Sequence, residues 1–462
     1  MTDARPEIRF HDSYRGEKTA FAPADPSRVT VYACGPTVYS APHIGNARAG
    51  VAADLAVRLL RHDYGAGAVV FARNLTDIDD KIIAAAKAEG VSIGTVTARA
   101  TDAYHRDMAA LGCAPPDHEP RATAFVDAMQ ALVTELLDRG HAYAEAGHVL
   151  FDVGSFGAYG RLSGLDRDAI IAGARVEVAP YKRGATDFVL WKPSEGDAPG
   201  WDAPEAWGLG ELGRGRPGWH IECSAMIDAV LGGPIDLHLG GQDLRFPHHE
   251  NEIAQSCCAG DLGGVPLARV WLHNGMLRMG KGKMSKSKGN VLTPAALMER
   301  WPGEAVRFAL LSAQYRQPLE WSEGLLESAK AQLDRFYRTL ALADPTEAAV
   351  PEGVLGVMRD DLNTPAAIAA LHEARDAAGD SPEAAARLRA GGRLLGLFGQ
   401  GADAWFKGDA GEDDTRIDGL LEERAAARAA RDFARADAIR DALAEEGIVI
   451  EDGPDGATWR RG

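Results

Sequence analysis

Residues 29 to 53 read VTVYACGPTVYSAPHIGNARAGVAA, and this stretch decides the fold of the chain. It begins with the β-branched and aromatic residues Val29 to Tyr32, which predict a short buried strand ending at the Cys34-Gly35-Pro36 break. A loop follows, and beyond His43 apolar residues recur at the spacing of a helix with one buried face. The unit is therefore a strand, a tight loop and a helix start.

The predicted helix start has the features of an anion site. Its unpaired N–H groups and the positive end of the helix dipole favour a phosphate. Gly45 has no side chain to keep a flat ring away from the backbone, and the imidazole of His43 offers a hydrogen-bond donor. The alternative interpretation is a surface histidine near a helix cap.

A second stretch is rich in lysine. Lys281 to Asn290 read KGKMSKSKGN, so that four lysines lie between glycines in a segment with little to bury. One interpretation is a solvated basic turn, and the other is a loop that binds polyphosphate through its ammonium groups.

Length and composition indicate a globular protein of several domains. With 462 residues, 46% of them hydrophobic and 25% charged, the chain is neither disordered nor fibrous in character. The five cysteines are odd in number and scattered, which argues against a disulfide framework. A net charge of −17 argues against indiscriminate binding to nucleic acid. No apolar run reaches the ~20 residues of a membrane span, and the amino terminus is polar, so we expect a cytoplasmic protein without membrane contact. We also expect a monomer.

The order of predicted elements indicates an α/β fold. Strands at Ala68 to Ala72, Ile235 to Leu239 and Val270 to His273 alternate with helices, which predicts a Rossmann-like parallel sheet with ligands beyond the carboxyl ends of its strands. Hairpin-like pieces and a Gly/Pro-rich run between Cys113 and about Gly215 indicate an inserted domain that splits this sheet. The chain after Thr293 is mostly helical in pattern, and it ends in a small module of two helices and a hairpin.

Local patterns predict how some of these elements begin. Thr76 and Asp79 have capping-box spacing ahead of a helix from Lys81 to Glu89, and Thr364 is the predicted cap of another helix. A helix is predicted from Arg121 to Arg139. The apolar residues around Cys223 predict a strand-like element.

Four side chains make a plausible metal site. Cys34 and Cys223 each follow or end a strand-like element, and His248 and Glu252 are i, i+4 on a predicted helix, so both can face one ion. Sulfur ligands disfavour Mg²⁺ and Ca²⁺, which leaves zinc. His249 with Glu252, at i, i+3, would serve almost as well, and buried cysteines are usually only core residues.

Taken together, the motifs resemble those of class I aminoacyl-tRNA synthetases and, nearly end to end, the bacterial cysteinyl-tRNA synthetases. The resemblance rests on YACGPTVY at Tyr32 to Tyr39, HIGN at His43 to Asn46, NLTDIDDKI at Asn74 to Ile82, GRPGWHIECSAM at Gly215 to Met226, GGQDLRFPHHENEIAQS at Gly240 to Ser256, KMSKS at Lys283 to Ser287, and EDGPDGATWRR at Glu451 to Arg461. HIGN differs from the HIGH pattern only at Asn46.

The resemblance implies an activity and a set of site residues. The activity is ligation of L-cysteine to tRNA(Cys) through cysteinyl adenylate, with ATP and Mg²⁺. The implied zinc ligands are Cys34, Cys223, His248 and Glu252, with His248 rather than His249. The other implied site residues are His43, Asn46, Lys283 and Lys286 for catalysis, Gly45, Lys286 and Asp243 for ATP, and Trp219 and Thr37 for the substrate.

The same resemblance implies a division of the chain. The expected parts are a first catalytic half (1–114), a connective insertion (115–215), a second catalytic half (216–290), a stem-contact region that begins at the KMSKS loop (291–344), a helical bundle (345–406) and an anticodon-recognition module (407–462). In the last module, Arg424, Arg428, Arg431 and Arg435 fall at helical spacing, interrupted by a cap at Asp432. They are either an RNA-binding stripe or a solvated face alternating with acids, and Trp459 is a candidate stacking surface.

Two other functions share much of this pattern. One is a ligase that passes activated cysteine to an amino sugar; the CGPTVY loop and the C-terminal EDGPDGATWRR favour the tRNA acceptor. The other is an RNA-binding homologue without catalysis, against which the intact HIGN and KMSKS motifs argue, since a protein that does not use ATP needs no lysine loop.

Overall fold

The computed structural model describes residues 6–165, 179–279, 282–283, 292–342, 348–407, 412–453 and 456–461. The chain divides into two compact units, Met1–Leu326 with Glu352–Ile368, and Glu327–Pro351 with Ala369–Gly462. Among the described residues, no helix has both the length and the apolar character that crossing a membrane requires.

The elements are numbered along the chain. The strands are β1 (Arg9–Asp12), β2 (Glu17–Ala20), β3 (Val29–Ala33), β4 (Val69–Arg73), β5 (Ala142–Glu145), β6 (His148–Phe151), β7 (Phe188–Pro193), β8 (Trp201–Asp202), β9 (Arg214–Pro217), β10 (Ile235–Gly241), β11 (Ala268–Asn274), β12 (Leu277–Met279), β13 (Gly282–Lys283), β14 (Leu319–Trp321), β15 (Ile448–Gly453) and β16 (Gly456–Arg461). The α-helices are α1 (Ile44–Tyr64), α2 (Asp80–Glu89), α3 (Ile93–Ala110), α4 (Val126–Asp138), α5 (Trp219–Leu231), α6 (Glu250–Ala259), α7 (Pro294–Met298), α8 (Gly303–Leu311), α9 (Glu323–Leu340), α10 (Glu352–Arg359), α11 (Thr364–Ala378), α12 (Pro382–Leu394), α13 (Ala402–Lys407), α14 (Glu412–Ala429) and α15 (Phe433–Glu445).

A parallel sheet forms the centre of the first unit, in the spatial order β11-β10-β3-β4. All five residues of β3 are buried, as expected for a central strand covered by helices on both faces. Helix α1 follows β3 and leads back to β4. The predicted parallel sheet is therefore confirmed, and Cys34 is the first residue beyond the carboxyl end of β3.

The chain between the two halves of this sheet forms an antiparallel sheet in the order β5-β6-β7-β9-β8. Phe151 stacks on Phe188 with ring centroids 4.9 Å apart, and Trp191 packs against them in one apolar core. The helix predicted to begin at Arg121 begins at Val126 instead. Residues 122–124 form a 3₁₀ turn, and the side chain of Asp77 accepts hydrogen bonds from the N–H and hydroxyl of Thr123.

The strand predicted around Cys223 is wrong, because Cys223 lies on helix α5. Strand β9 ends at Pro217, and the N–H of Gly218 donates to the carbonyl of Leu190 at 2.8 Å. Helix α5 is buried on most sides, including Ile221, Cys223 and Met226, so its apolar residues show no clear 3.6-residue period in the sequence.

The helix predicted to carry both His248 and Glu252 also begins later than expected. Arg245–His249 form a π-helical turn, in which Phe246 has non-helical angles, and the regular helix α6 begins at Glu250. His248 therefore precedes α6, and Glu252 lies in its first turn.

Two predicted helix caps fall one position or more from the observed ones. Asp79 caps α2 by accepting from the N–H of Lys81, whereas Thr76 donates its hydroxyl to Glu222 at 2.9 Å. Asn363 accepts from the N–H of Ala366 at 3.2 Å, whereas the hydroxyl of Thr364 donates to the carbonyl of Ala313. In both cases the observed cap is the residue directly before the first helical residue, which places its oxygen near the N–H groups two or three positions on.

The second unit contains the predicted C-terminal module of two helices and a hairpin. Helices α14 and α15 pack on β15 and β16 around a small apolar core. Trp459 belongs to this core with 3% of its surface exposed, and its indole N–H donates to Asp418 at 2.7 Å. The hypothesis that Trp459 offers a stacking surface is therefore wrong.

The arginines of this module are paired with acids. Asp452 accepts from both Arg424 and Arg428, at 2.7 and 3.1 Å, and Arg435 lies 2.7 Å from Glu423. Asp432 caps α15, as predicted. Arg428 and Arg435 are about half exposed and paired with acids, as a solvated face predicts, whereas Arg424 is buried. The RNA-binding stripe stays a prediction.

Candidate active site

A cleft of about 290 Å³ opens beyond the carboxyl ends of β3, β4 and β10. This is the edge of a parallel sheet at which ligands bind in such folds. The residues of the sequence-based site that line it are Cys34, Thr37, His43, Gly45, Asn46, Trp219 and Asp243. Lys286 lies outside the described residues, and only the backbone of Lys283 is described, as part of β13.

One wall of the cleft is the start of α1, where His43 and Asn46 cap the helix reciprocally. Nδ1 of His43 accepts from the N–H of Asn46 at 3.1 Å, and Oδ1 of Asn46 accepts from the N–H of His43 at 3.0 Å. Since Nδ1 accepts, the neutral ring carries its proton at Nε2 and is a donor there. A Cβ on Gly45 would lie 2.9 Å from two ring atoms of His43, so the absence of a side chain lets the imidazole fold over the helix start.

At the base of the cleft the four predicted metal ligands lie together. One ligand atom from each of Cys34, Cys223, His248 and Glu252 can be chosen so that all four lie within 4.8 Å of one another. The two sulfurs are 3.7 Å apart, and Cys34 Sγ is 3.6 Å from Glu252 Oε1. His248 Nε2 is 2.9 Å from the same carboxylate oxygen. Cys34 lines the cleft, and the other three are at most 1% exposed.

The members of this group shift one another's pKa values strongly. The hydrogen bond from Cys34 lowers the pKa of the Cys223 thiol to about 6. Burial raises the pKa of Glu252, but His238 and His248 outweigh it and hold that pKa well below its ordinary value. Burial lowers the pKa of His248, yet Glu252 and Cys223 raise it to about 10. Burial and Cys223 raise the pKa of the Cys34 thiol well above its ordinary value. Two sulfurs, a nitrogen and an oxygen are a donor set that suits zinc, which binds cysteine as the thiolate and histidine as the neutral imidazole.

A second set of four side chains has comparable geometry. It consists of Cys34, His238, His249 and Glu252, also within 4.8 Å of one another. In this set His249 Nε2 lies 3.3 Å from Cys34 Sγ, while its Nδ1 lies 2.8 Å from His273 Nε2. It offers one sulfur instead of two, and burial lowers the pKa of His249 well below its ordinary value. The two sets share Cys34 and Glu252.

His238 and Trp271, which the sequence analysis did not select, and Trp219, which it did select, support this group. His238 Nε2 lies 2.7 Å from Glu252 Oε2, and the ring stacks on Trp271 with centroids 4.4 Å apart. The available signal was a histidine inside β10, a strand buried at six of its seven residues, since a buried imidazole needs a polar partner. Trp219, which is 38% exposed on the cleft, stacks on the ring of His248 at 4.3 Å.

The double glycine at the end of β10 makes room for this arrangement. A Cβ on Gly240 would lie 2.4 Å from the ring of His249, and a Cβ on Gly241 would lie 2.5 Å from Oδ1 of Asp243. The side chain of Asp243 is exposed and lines the cleft. Across the cleft, Thr37 pairs with Thr76 in a parallel bridge, which ties the loop after β3 to the loop after β4.

Comparison with known proteins finds matches that together span nearly the whole chain. Residues 20–331 match the family model of the class I (C) tRNA synthetase catalytic domain, and residues 412–460 match that of the cysteinyl-tRNA ligase anticodon binding domain. The Cysteine--tRNA ligase of Acidiphilium cryptum is 56% identical over 459 residues, with 98% of this chain and 99% of the relative covered. That of Xanthomonas campestris pv. campestris is 55% identical over 464 residues, with the same coverage of 98% and 99%.

A solved structure has the same fold at low identity. The Mycobacterium tuberculosis methionyl-tRNA synthetase, in complex with methionyl-adenylate, aligns with a TM-score of 0.57 at 19% identity over 80% of this chain and 89% of that one. This likeness shows the fold alone. The family models and the relatives at more than half identity show that this chain belongs to the cysteine–tRNA ligase family, with a catalytic domain of class I.

Proposed function

We propose that this chain ligates L-cysteine to tRNA(Cys) in two steps, through cysteinyl adenylate, with ATP and Mg²⁺. The observation that carries the proposal is the joint placement of two groups on one cleft. The capped start of α1, with His43, forms one wall, and the buried cysteine, histidine and carboxylate group lies at the base. The family membership of the chain supports the same activity.

In the first step, the cysteine carboxylate attacks the α-phosphorus of ATP, a P–O bond forms, and pyrophosphate leaves as the bond to the β-phosphate oxygen breaks. Catalysis of such a displacement consists mainly of positioning the reactants and stabilising phosphate charge. Nε2 of His43 and the N–H groups at the start of α1 are the proposed donors from the helix, and Lys283 and Lys286 are the proposed cations from the lysine stretch. Asp243, exposed at the cleft, is the proposed partner of the ribose hydroxyls.

Selection of cysteine over serine is the second part of the proposal. The two amino acids differ by one atom, and pocket shape alone separates such pairs by only about 1–3 kcal/mol. The proposed zinc ligands are Cys34, Cys223, His248 and Glu252. A zinc ion in this group would bind the substrate thiolate and lower the thiol pKa from about 8.5, whereas the serine hydroxyl would stay protonated and bind poorly.

Other parts of the chain have proposed roles in binding the amino acid and the tRNA. Trp219 and Thr37 line the cleft and are proposed to contact the amino acid. Residues 407–462 are the proposed anticodon module, which the match of residues 412–460 to an anticodon binding domain supports. That match also favours tRNA over an amino sugar as the acceptor.

Cysteine-dependent exchange of pyrophosphate into ATP, followed by charging of tRNA(Cys) with labelled cysteine, tests the function. The proposal predicts exchange and charging with cysteine, and exchange at least about 1,000-fold weaker with serine, as expected when one polar contact is decisive. Exchange without charging would support the amino-sugar ligase instead. Folded, zinc-loaded protein that shows no exchange would contradict the proposal and leave an RNA-binding protein.

A further inference from the structure

Arg73 is a buried cation on the wall of the cleft. It is the last residue of β4, at the carboxyl end of the parallel sheet. It lines the cleft, although only 5% of its surface is exposed. Arginine stays protonated in proteins, so this wall carries a full positive charge. The cleft therefore has a buried cation at the same edge of the sheet as Cys34.

The side chain of Arg73 lies on the opposite face of the sheet from the predicted metal ligands. Ala72 packs in one core with Cys223, and Cys34 packs against the same core. Side chains alternate between the two faces of a strand, so Arg73, directly after Ala72, points the other way. On that other face its guanidinium lies over the ring of Tyr104 on α3, 4.8 Å from the ring centroid.

The same face of the sheet is covered by α1. Helix α1 contacts both β4 and α3, and a Cβ on Gly50 of α1 would lie 2.7 Å from Sδ of Met108 on α3. In the register of the sheet, Arg73 is opposite Ala33, the residue directly before Cys34. Neighbouring strands are about 4.8 Å apart. A molecule held near Cys34 therefore reaches the face of Arg73 by crossing the edge of the sheet.

The described residues use only part of the hydrogen-bonding capacity of the Arg73 guanidinium. Nη2 donates to Oε1 of Glu119 at 2.8 Å, whereas Nε is buried and has no hydrogen-bond partner in the described structure. Glu119 is itself shared, since its other oxygen lies 2.6 Å from Nε2 of His105. A buried donor without a partner costs free energy, which an oxyanion bound in the cleft would recover.

In the proposed reaction, one small molecule connects the two faces of the sheet. Its thiol is bonded to the metal on the face of Cys223, and its carboxylate attacks a phosphorus bound at the start of α1. The carboxylate and the α-phosphate that it joins therefore come together on the face of Arg73. Both are oxyanions whose geometry matches the planar fork of a guanidinium.

We propose that Arg73 is a substrate-binding residue, whose guanidinium holds an oxyanion of the reacting pair, either the cysteine carboxylate or the α-phosphate of ATP. The inference rests on the proposed function and adds to it a residue that touches the reacting groups. Glu119 and the ring of Tyr104 fix the plane of the guanidinium, which then orients the oxyanion for the reaction. No proton moves in this role, because the guanidinium stays charged.

The test compares pairs of ligands that differ by the oxyanion alone, by calorimetric binding to the zinc-loaded full-length protein. Cysteamine is cysteine without its carboxylate, and adenosine is AMP without its phosphate. In Arg73→Met, the preference for the ligand that carries the oxyanion is expected to fall about 10–100-fold in one pair, as for loss of a hydrogen bond to a charged group. The affinity for the ligand without the oxyanion is expected to stay within about 2-fold, since it has no such bond to lose.

The two sources of the oxyanion give different results. If Arg73 holds the carboxylate, the preference for cysteine over cysteamine falls and the preference for AMP over adenosine stays. If Arg73 holds the α-phosphate, the preference for AMP falls and the preference for cysteine stays. Either result supports the inference and identifies the group.

Two variants are matched controls. Glu119→Gln removes the carboxylate of the ion pair but keeps the guanidinium, so both preferences are expected to stay. Arg61→Met removes another arginine, which donates to both oxygens of Asp117 at 3.0 and 2.8 Å and lies outside the described lining of the cleft. It is also expected to leave both preferences unchanged. If Arg73→Met does not fold, Arg73→Gln replaces the cation with a neutral amide, and the same fall is expected.

Several outcomes would overturn the inference. One is that both preferences stay within about 2-fold of wild type in folded Arg73→Met, against the loss expected for a charged partner. Another is an equal fall in Arg73→Met and Glu119→Gln, which would show that the ion pair is purely structural. A loss of tRNA charging with both preferences unchanged would also overturn it, as would the absence of both preferences in wild type.

Failure of the proposed function is seen separately, because these binding measurements need no turnover. Folded, zinc-loaded wild-type protein that shows no cysteine-dependent pyrophosphate exchange would overturn the proposed function, and with it the role of Arg73 in adenylate formation. Exchange in wild type with unchanged preferences in Arg73→Met would overturn only the role of Arg73.

Discussion

Two groups of buried ionisable side chains in the first unit differ in how their charges are balanced. In the first group, Asp54 on α1 lies 2.7 Å from Arg58 and also pairs with Arg307, and it accepts from the N–H of Ala114 at 2.9 Å. In the second group, Cys223, His248 and Glu252 are buried to the same degree. The first group balances its carboxylate with guanidinium groups of the chain, whereas the second brings two sulfurs, an imidazole and a carboxylate to one point.

This difference suits the first group to stabilising the fold and the second to the proposed metal binding. A buried carboxylate with two guanidinium partners and a backbone donor is satisfied, and it lies away from the cleft. The cysteine group has an excess of donor atoms that converge on one point beside the cleft, so a cation from solution is its natural partner.

The largest effect is expected from Cys223→Ser. Loss of a direct thiolate ligand should lower zinc affinity by more than about 100-fold, which exceeds the loss caused by removing an outer contact. Cysteine-dependent exchange should fall with it. Metal analysis after dialysis against a weak chelator measures the first effect. Cys258→Ser, at another buried cysteine outside the group, is the control and should retain zinc. Full zinc occupancy in Cys223→Ser would contradict the ligand set.

In the balanced group, Asp54→Asn should destabilise the fold and leave the metal site intact. Arg307 would remain buried without its carboxylate, which costs about 3–5 kcal/mol. Denaturant unfolding of the zinc-loaded protein measures the loss. A normal zinc content is expected in the variant, and a change below about 1 kcal/mol would show that this ion pair does little to hold the unit.

Three histidine variants distinguish the two donor sets. His238→Asn removes the contact to Glu252 Oε2 and is expected to weaken zinc binding by about 10–100-fold without abolishing it, as for an outer contact. His248→Ala is expected to weaken it further than either His238→Asn or His249→Ala. If His249→Ala has the largest effect, the ion is held by the set with one sulfur instead.

The smallest effect is expected from acid. Burial raises the pKa of Asp54, but Arg307 and Arg58 outweigh it and hold that pKa below its ordinary value. Because the folded-state pKa is lowered, the stabilisation is fully present above the unfolded-state pKa of about 3.9 and is lost as the pH falls through the folded-state value. The free energy of unfolding should therefore fall more steeply below about pH 4 in wild type than in Asp54→Asn. Parallel curves would contradict this assignment.

The sequence predicted the parallel sheet well because its strands are short, apolar and separated by clear breaks. It predicted which four side chains to consider for the metal site, but their convergence depends on contacts between β3, α5 and α6 that no local pattern encodes. The period-based prediction failed at Cys223, since a helix buried on most sides shows no polar face. It also missed His238, whose partner Glu252 lies 14 positions further on, in another element.

The C-terminal module shows the same limit on a smaller scale. Spacing predicted the two helices and the cap at Asp432, because those signals are local. The spacing could not predict that Trp459 lies in one buried core with Ile417, or that Asp452 pairs with two arginines. Both depend on how the hairpin folds onto the helices.

The central claim is that the substrate sulfur is recognised by direct bonding to a metal ion held at the base of the cleft. X-ray absorption at the zinc edge, with and without cysteine, tests it most directly. The account predicts that cysteine adds one sulfur to the two supplied by Cys34 and Cys223, and that serine adds none. A zinc coordination shell that is unchanged by saturating cysteine would contradict it.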